Sequence, residues 1–271
     1  MNIFLDTSIE VARTTHCKEI RQKIEEREML YDASLVSSVV LKEFRQRVLK
    51  DARYVLDLIH RHGNISAVIH QVNRLPWQQA RKQSICIGLI GLLFEDESED
   101  SKLDRATLLL QVLIENGLAL IEQRSLVIKK ACSMPDAGIT KKTSKRGKVS
   151  YDFGPPDCSK VCDCPIKSFL ESKRDELQKI LVELNQSSKL TKELEAIKSF
   201  VESHDSFEGI EQETPCDTVG DLLIALESST VAEFMTLNIK ESESLCRSLG
   251  QTLVWVKTNP DKEIEVLKPA Q

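Results

Sequence analysis

Helix and strand patterns alternate near the end of the chain, and this restricts the fold more than any other feature of the sequence. Residues 218–228 carry a helical pattern, 233–237 a strand, 240–249 a second helix and 252–256 a second strand. Strands joined by a helix-length crossover run parallel, because a tight hairpin cannot connect them. The opening apolar run Ile3–Leu5 is a short buried-strand pattern of the same kind. Both ends of the chain therefore read as α/β. The simplest architecture is one parallel sheet flanked by helices, closed by both termini around a largely α-helical insertion.

The middle of the chain fits that description. A helix is expected over 7–28, then a short strand from 34 and a helix carrying Val40, Leu41, Phe44 and Val48 inward, with Ser37 or Ser38 as its cap. Helical patterning continues to about 126, interrupted at Pro76, by the acidic link Glu95–Asp100 and by the turn signal Asn116-Gly117. Leu118–Ile121 reads as a strand. Two charged amphipathic helices, 166–184 and 188–204, read as a hairpin. Four parts follow: 1–126, the cysteine-containing 127–165, the helical hairpin and linker 166–214, and 215–271.

Composition narrows the classes of function. Formal net charge is −5, so a uniformly basic nucleic-acid binder is excluded, while a local basic patch is not. Aromatics make up 5%, too few to announce a base-stacking platform. The longest apolar run, Ile85–Phe94, is far short of a membrane span, so no membrane partner is expected. The first strand begins almost at Met1 without a basic leader, and a cytoplasmic setting is expected.

Asp6 ends the first strand and is followed by Thr7 and Ser8. Ligands of open parallel sheets collect beyond the carboxyl ends of the strands. A helix cap by Asp6 or Thr7 is the competing reading. Three pieces then bear comparison: Phe4-Leu5-Asp6-Thr7-Ser8; Glu43, placed one helix later; and Gly220-Asp221-Leu222-Leu223-Ile224-Ala225, followed by a strand ending Thr236-Leu237-Asn238. In this order they resemble the PIN-like (PilT N-terminus) nuclease family over residues 1–50 and 215–257. The resemblance implies a PIN-like parallel sheet and makes Asp6, Glu43 and Asp221 acidic ligands of Mg²⁺ or Mn²⁺. Asn238 takes a fourth position where many members carry Asp, which leaves one negative charge fewer. Asp217 is an alternative ligand or a cap. The implied activity is metal-dependent hydrolysis of phosphodiesters, most often in RNA, leaving a 5′-phosphate. The alternative is a PIN-like domain that binds RNA or protein without cutting. An antitoxin or a sensor protein is the kind of partner that such an enzyme implies.

The residue types suit that chemistry. Clustered carboxylates repel one another unless a divalent cation neutralises them, and such a cation activates water and phosphate together. Thr7, Ser8 and Thr236 are candidates to orient water or phosphate, with capping as the competing role of the first two. Cys132, Cys158, Cys162 and Cys164 fall in one turn-rich segment and suit a structural Zn²⁺ site; an iron–sulfur cluster or plain thiols are the alternatives. Cys17, Cys86 and Cys246 occupy helix faces and are expected in the core. Lys141, Lys142, Lys145, Arg146 and Lys148 crowd a basic loop, read either as solvated surface or as a grip on the substrate backbone.

Overall fold

A computed structural model of the chain describes residues 1–93, 99–132, 138–144, 148–154, 164–203 and 219–269. Its centre is a six-stranded sheet of β1 (Asn2–Leu5), β2 (Ala33–Ser37), β3 (Leu126–Ile128), β6 (Glu233–Thr236), β7 (Thr252–Trp255) and β8 (Glu265–Leu267), in the order β3-β2-β1-β6-β7-β8. All neighbours pair in parallel except β7 and β8. The chain is thus α/β with a mostly parallel sheet. Ile3, Phe4 and Leu5 are all fully buried, so β1 is covered on both faces, as a central parallel strand requires. Phe4 stacks on its register partner Phe234 with ring centroids 5.7 Å apart.

The helices between β1 and β2 are two, α1 (Thr7–Thr15) and α2 (Lys18–Glu28), rather than the single helix 7–28 expected. The hydroxyls of Thr14 and Thr15 donate back to the carbonyls of Glu10 and Val11, and the backbone turns extended at His16. Such back-bonding competes with helix continuation. After β2, Ser37 caps α3 (Ser38–Phe44) by accepting from Val40 N–H at 3.1 Å. A π-helical turn over Arg45–Leu49 leads into α4 (Lys50–His62), α5 (Ile65–Asn73), α6 (Ala80–Leu93) and α7 (Glu99–Arg124).

Helix α7 overturns two expectations. It passes straight through Asn116-Gly117, and Leu118–Ile121 is helical, the strand lying at β3 instead. A Cβ on Gly117 would come within 2.9 Å of Leu49, so this glycine serves a close approach between α7 and the π turn rather than a chain reversal. Ile121 is buried, which keeps that turn of helix docked.

Part of the segment carrying the basic residues is strand: Ile139–Thr143 (β4) and Val149–Phe153 (β5) pair antiparallel, while residues 145–147 lie outside the described residues. The guanidinium groups of Arg45 and Arg53 lie over the Phe153 ring, at 5.8 and 5.6 Å from its centroid, which ties the hairpin to the π turn and α4. The helix expected over 166–184 breaks at Lys173 into α8 (Ile166–Ser172) and α9 (Arg174–Gln186), because Ser172 Oγ donates back to Phe169 O at 2.6 Å. The second member of the hairpin is α10 (Lys192–Ser203), packed on α9. Helices α11 (Gly220–Ser228) and α12 (Ile239–Ser248) flank β6, and α9 packs on α12. Among the described residues no helix is long and apolar enough to cross a membrane.

Candidate acidic cleft

The carboxyl end of β1 is where the sheet changes direction: the chain goes to β2 on one side and returns as β6 on the other. A crevice opens at such a point. Asp6 N–H donates to Met235 O at 3.0 Å, so Asp6 and Thr236 stand side by side at its floor. Asp6 Oδ2 accepts from Ser8 Oγ at 2.6 Å, from Thr236 Oγ1 at 2.8 Å and, more weakly, from Ser8 N–H at 3.4 Å. The two hydroxyls in turn accept from backbone: Leu237 N–H donates to Ser8 Oγ and Asn238 N–H to Thr236 Oγ1, both at 2.9 Å. Ser8 Oγ and Thr236 Oγ1 also lie 3.1 Å apart, and Ser242 Oγ donates to Thr236 Oγ1 at 3.4 Å, so the hydroxyls and Asp6 Oδ2 form one network. Oδ1 accepts no hydrogen bond from the described residues and is left as the free oxygen.

The cap of α1 is Asp6, one of the two capping residues that the sequence offered. Ser8 and Thr236 both bond Asp6 Oδ2. Thr7 Oγ1 is buried without a hydrogen-bond partner.

Glu43 arrives from the last turn of α3, and Asp221 from the first turn of α11, which packs on α3. Gly220 makes this approach feasible, since a Cβ there would lie 2.6 Å from Glu43 Oε1. Asp6, Glu43, Asp221 and Asn238 all line one cavity of about 630 Å³, together with Thr7, Ser8 and the unforeseen Glu241. Burial raises the carboxyl of Glu43; the Arg47 guanidinium opposes this, and Asp6 adds to it. Asp221 is pushed up to about 7, by burial first and then by the charges of Asp6 and Glu43. Glu43 Oε2 and Glu241 Oε2 are both buried without a hydrogen-bond partner.

The same cavity is lined by residues that the sequence reading passed over: Arg47, Arg81, His16 and Glu193. Two of the missed residues had a signal. Arg47 is four residues beyond Glu43, and Glu241 three beyond Asn238, spacings that share a helix face. Arg81 and Glu193 come from α6 and α10, and nothing in their local sequence marks them. Burial lowers the pKa of the His16 imidazole.

The other predicted site residues do not gather here. Lys141 pairs with Glu115 at 2.8 Å and Lys142 with Asp152 at 3.0 Å; neither they nor Lys148 line the cavity. Lys145 and Arg146 lie outside the described residues, as do Cys158, Cys162, Cys216 and Asp217. Cys132 is buried and Cys164 half-buried, while Cys86 and Cys246 are in the core as expected. Cys17 is exposed, at the start of α2, which corrects its assignment to the core.

Oxygen atoms alone make up the acidic side of the cleft, a donor set suited to a hard cation such as Mg²⁺ or Mn²⁺. The buried Oε2 of Glu241, which has no hydrogen-bond partner, fits such an ion as well. Among the described residues, no three His, Cys, Asp or Glu side chains are drawn together tightly enough to hold a metal as they stand. The chain matches no family model, and neither a curated protein nor a solved structure matches it.

Proposed function

We propose that the chain is a metal-dependent phosphodiester hydrolase of the PIN-like type, acting on RNA. One observation carries this reading: three carboxylates from distant parts of the sequence, Asp6, Glu43 and Asp221, line one crevice at the switch point of a parallel sheet. Holding them there costs stability, as the raised carboxyls of Glu43 and Asp221 indicate, and a divalent cation removes that cost. Asp6, Glu43 and Asp221 would hold Mg²⁺ or Mn²⁺, with Asn238 and Glu241 beside them. When bound, such a cation neutralises a phosphodiester and acidifies water for in-line attack. Ser8 and Thr236 fix the carboxylate of Asp6, so that Oδ1 is presented without reorganisation. Arg47 and Arg81 supply positive charge for the scissile phosphate. Cys132, Cys158, Cys162 and Cys164 remain our candidates for a structural Zn²⁺, which metal analysis of purified protein checks.

The test is cleavage of end-labelled RNA and single-stranded DNA in Mn²⁺, in EDTA, and with Asp6→Asn protein as control. RNA cut only by wild type with Mn²⁺, leaving 5′-phosphate ends, supports the reading. No cutting of either polymer leaves the runner-up, an RNA- or protein-binding subunit, which the amide at Asn238 and the pairing of Glu43 with Arg47 favour. Gly220→Ala probes the site from the backbone. The fold accommodates it, because only the tip of Glu43 must move. Displacing that carboxylate by about 1 Å is expected to lower cleavage by about 100-fold. Unchanged cleavage with an unchanged melting temperature would exclude Glu43 from the machinery.

A further inference from the structure

The acids of the cleft already have a cation of their own. Arg47 stands on the π-helical turn directly after α3, and its Nη1 lies 3.0 Å from Glu43 Oε2. Glu43 is 12% exposed and Arg47 32%, so the pair is more shielded than an ordinary surface ion pair. The contact is nonetheless not a formed hydrogen bond, since Oε2 has no hydrogen-bond partner. It is charge compensation without the forked geometry that makes arginine–carboxylate pairs strong. The free oxygen Oδ1 of Asp6, the carboxyl of Asp221 and the unpartnered Oε2 of Glu241 share the cavity. Arg81 faces the same acids more distantly, from an exposed position on α6.

We propose that Arg47 is a built-in counter-ion of the acid cluster, which a divalent cation must displace from Glu43 before it can bind. The inference rests on the metal-site reading above. A single positive charge tethered four residues from Glu43 neutralises part of the cluster in the metal-free protein. Rotation about the arginine side chain suffices to release it, with no backbone movement. Once a doubly charged ion occupies the acids, the guanidinium is repelled from Glu43 and turned toward the open cleft, where a phosphate can take it. The cleft then gains an anion-binding group in the same step that loads its cation. The π turn suits this task, because widened turns are frequent at functional sites.

Competition of this kind weakens apparent cation affinity. A partly shielded pair of this geometry corresponds to about a fivefold effect. The experiment is calorimetric titration of Mn²⁺ into substrate-free wild type, Arg47→Gln and Arg47→Lys, with melting temperatures recorded in EDTA and in saturating Mn²⁺. Arg47→Gln is expected to bind Mn²⁺ about fivefold tighter, to melt lower than wild type in EDTA, and to lose that difference in Mn²⁺. Arg47→Lys keeps the charge and is expected to bind within about twofold of wild type. Equal or weaker binding by Arg47→Gln overturns the proposal, as does Arg47→Lys binding as tightly as Arg47→Gln. Wild type and Arg47→Gln both failing to bind Mn²⁺ at millimolar concentration would sink the metal-site reading itself, a separate and recognisable result.

Discussion

Asp6→Asn protein is expected to fold as wild type does and to lose cleavage by about three orders of magnitude, or about 4 kcal/mol of transition-state stabilisation. The two effects separate because the two carboxylate oxygens have separate duties. Oδ2 caps α1 and accepts from Ser8 and Thr236, while Oδ1 accepts nothing from the described residues. An asparagine carbonyl can take over the clasp, and Asn equals Asp as a helix cap. Its amide then occupies the free position, where a donor cannot bind a cation. Circular dichroism and thermal melting check the first half, and single-turnover cleavage in Mn²⁺ the second. A variant that cuts at more than about a tenth of the wild-type rate would remove Asp6 from the chemistry. Ser8→Ala is the milder companion, since Thr236 still holds Oδ2.

The second large effect is one of pH and concerns Asp221. Its carboxyl lies near 7 in the folded protein against an ordinary value of 3.8. At pH below about 4 both folded and unfolded chains hold the proton, and no cost arises. As pH rises, the unfolded chain releases the proton first, so the metal-free fold loses stability until the folded carboxyl ionises near 7. The contribution of Asp221 falls by at most about 1.4 kcal/mol per pH unit over that window and is flat above it. Asp221→Asn abolishes the effect. In EDTA the variant is therefore expected to match wild type near pH 4 and to exceed it by on the order of 3 kcal/mol at pH 8. Urea denaturation at four or five pH values checks this. Saturating Mn²⁺ should erase or reverse the advantage, because a bound cation stabilises the ionised cluster of the wild type and not that of the variant. A pH-independent difference would mean that the Asp221 carboxyl is not raised in the folded protein.

The terminal strands were legible because each is a short apolar run bounded by polar residues, and their pairing follows from parallel crossovers. The failures share one cause. Helix α7 continues through Asn116-Gly117, α2 begins at a fresh break, and β3 appears eight residues later than expected. In each case a tertiary contact or a side chain bonded to the backbone overrode local turn chemistry: Gly117 against Leu49, and Thr14 and Thr15 back to their carbonyls. The charge of the basic segment concealed a hairpin: Lys141 and Lys142 stay exposed on β4, while Tyr151 and Phe153 alternate inward on β5 and hold it on α4.

The sequence by itself determined the parallel sheet, and its resemblance to a known family singled out Asp6, Glu43 and Asp221, which line one cleft. It could not determine what else meets them. Arg81 and Glu193 reach the cleft from helices whose packing depends on distant core contacts, and the division of labour between the two oxygens of Asp6 depends on β6 lying beside β1. Periodicity reports which face of an element is buried, but not against which partner. The positive charge that Arg81 brings to the cleft is therefore a property of the tertiary structure alone.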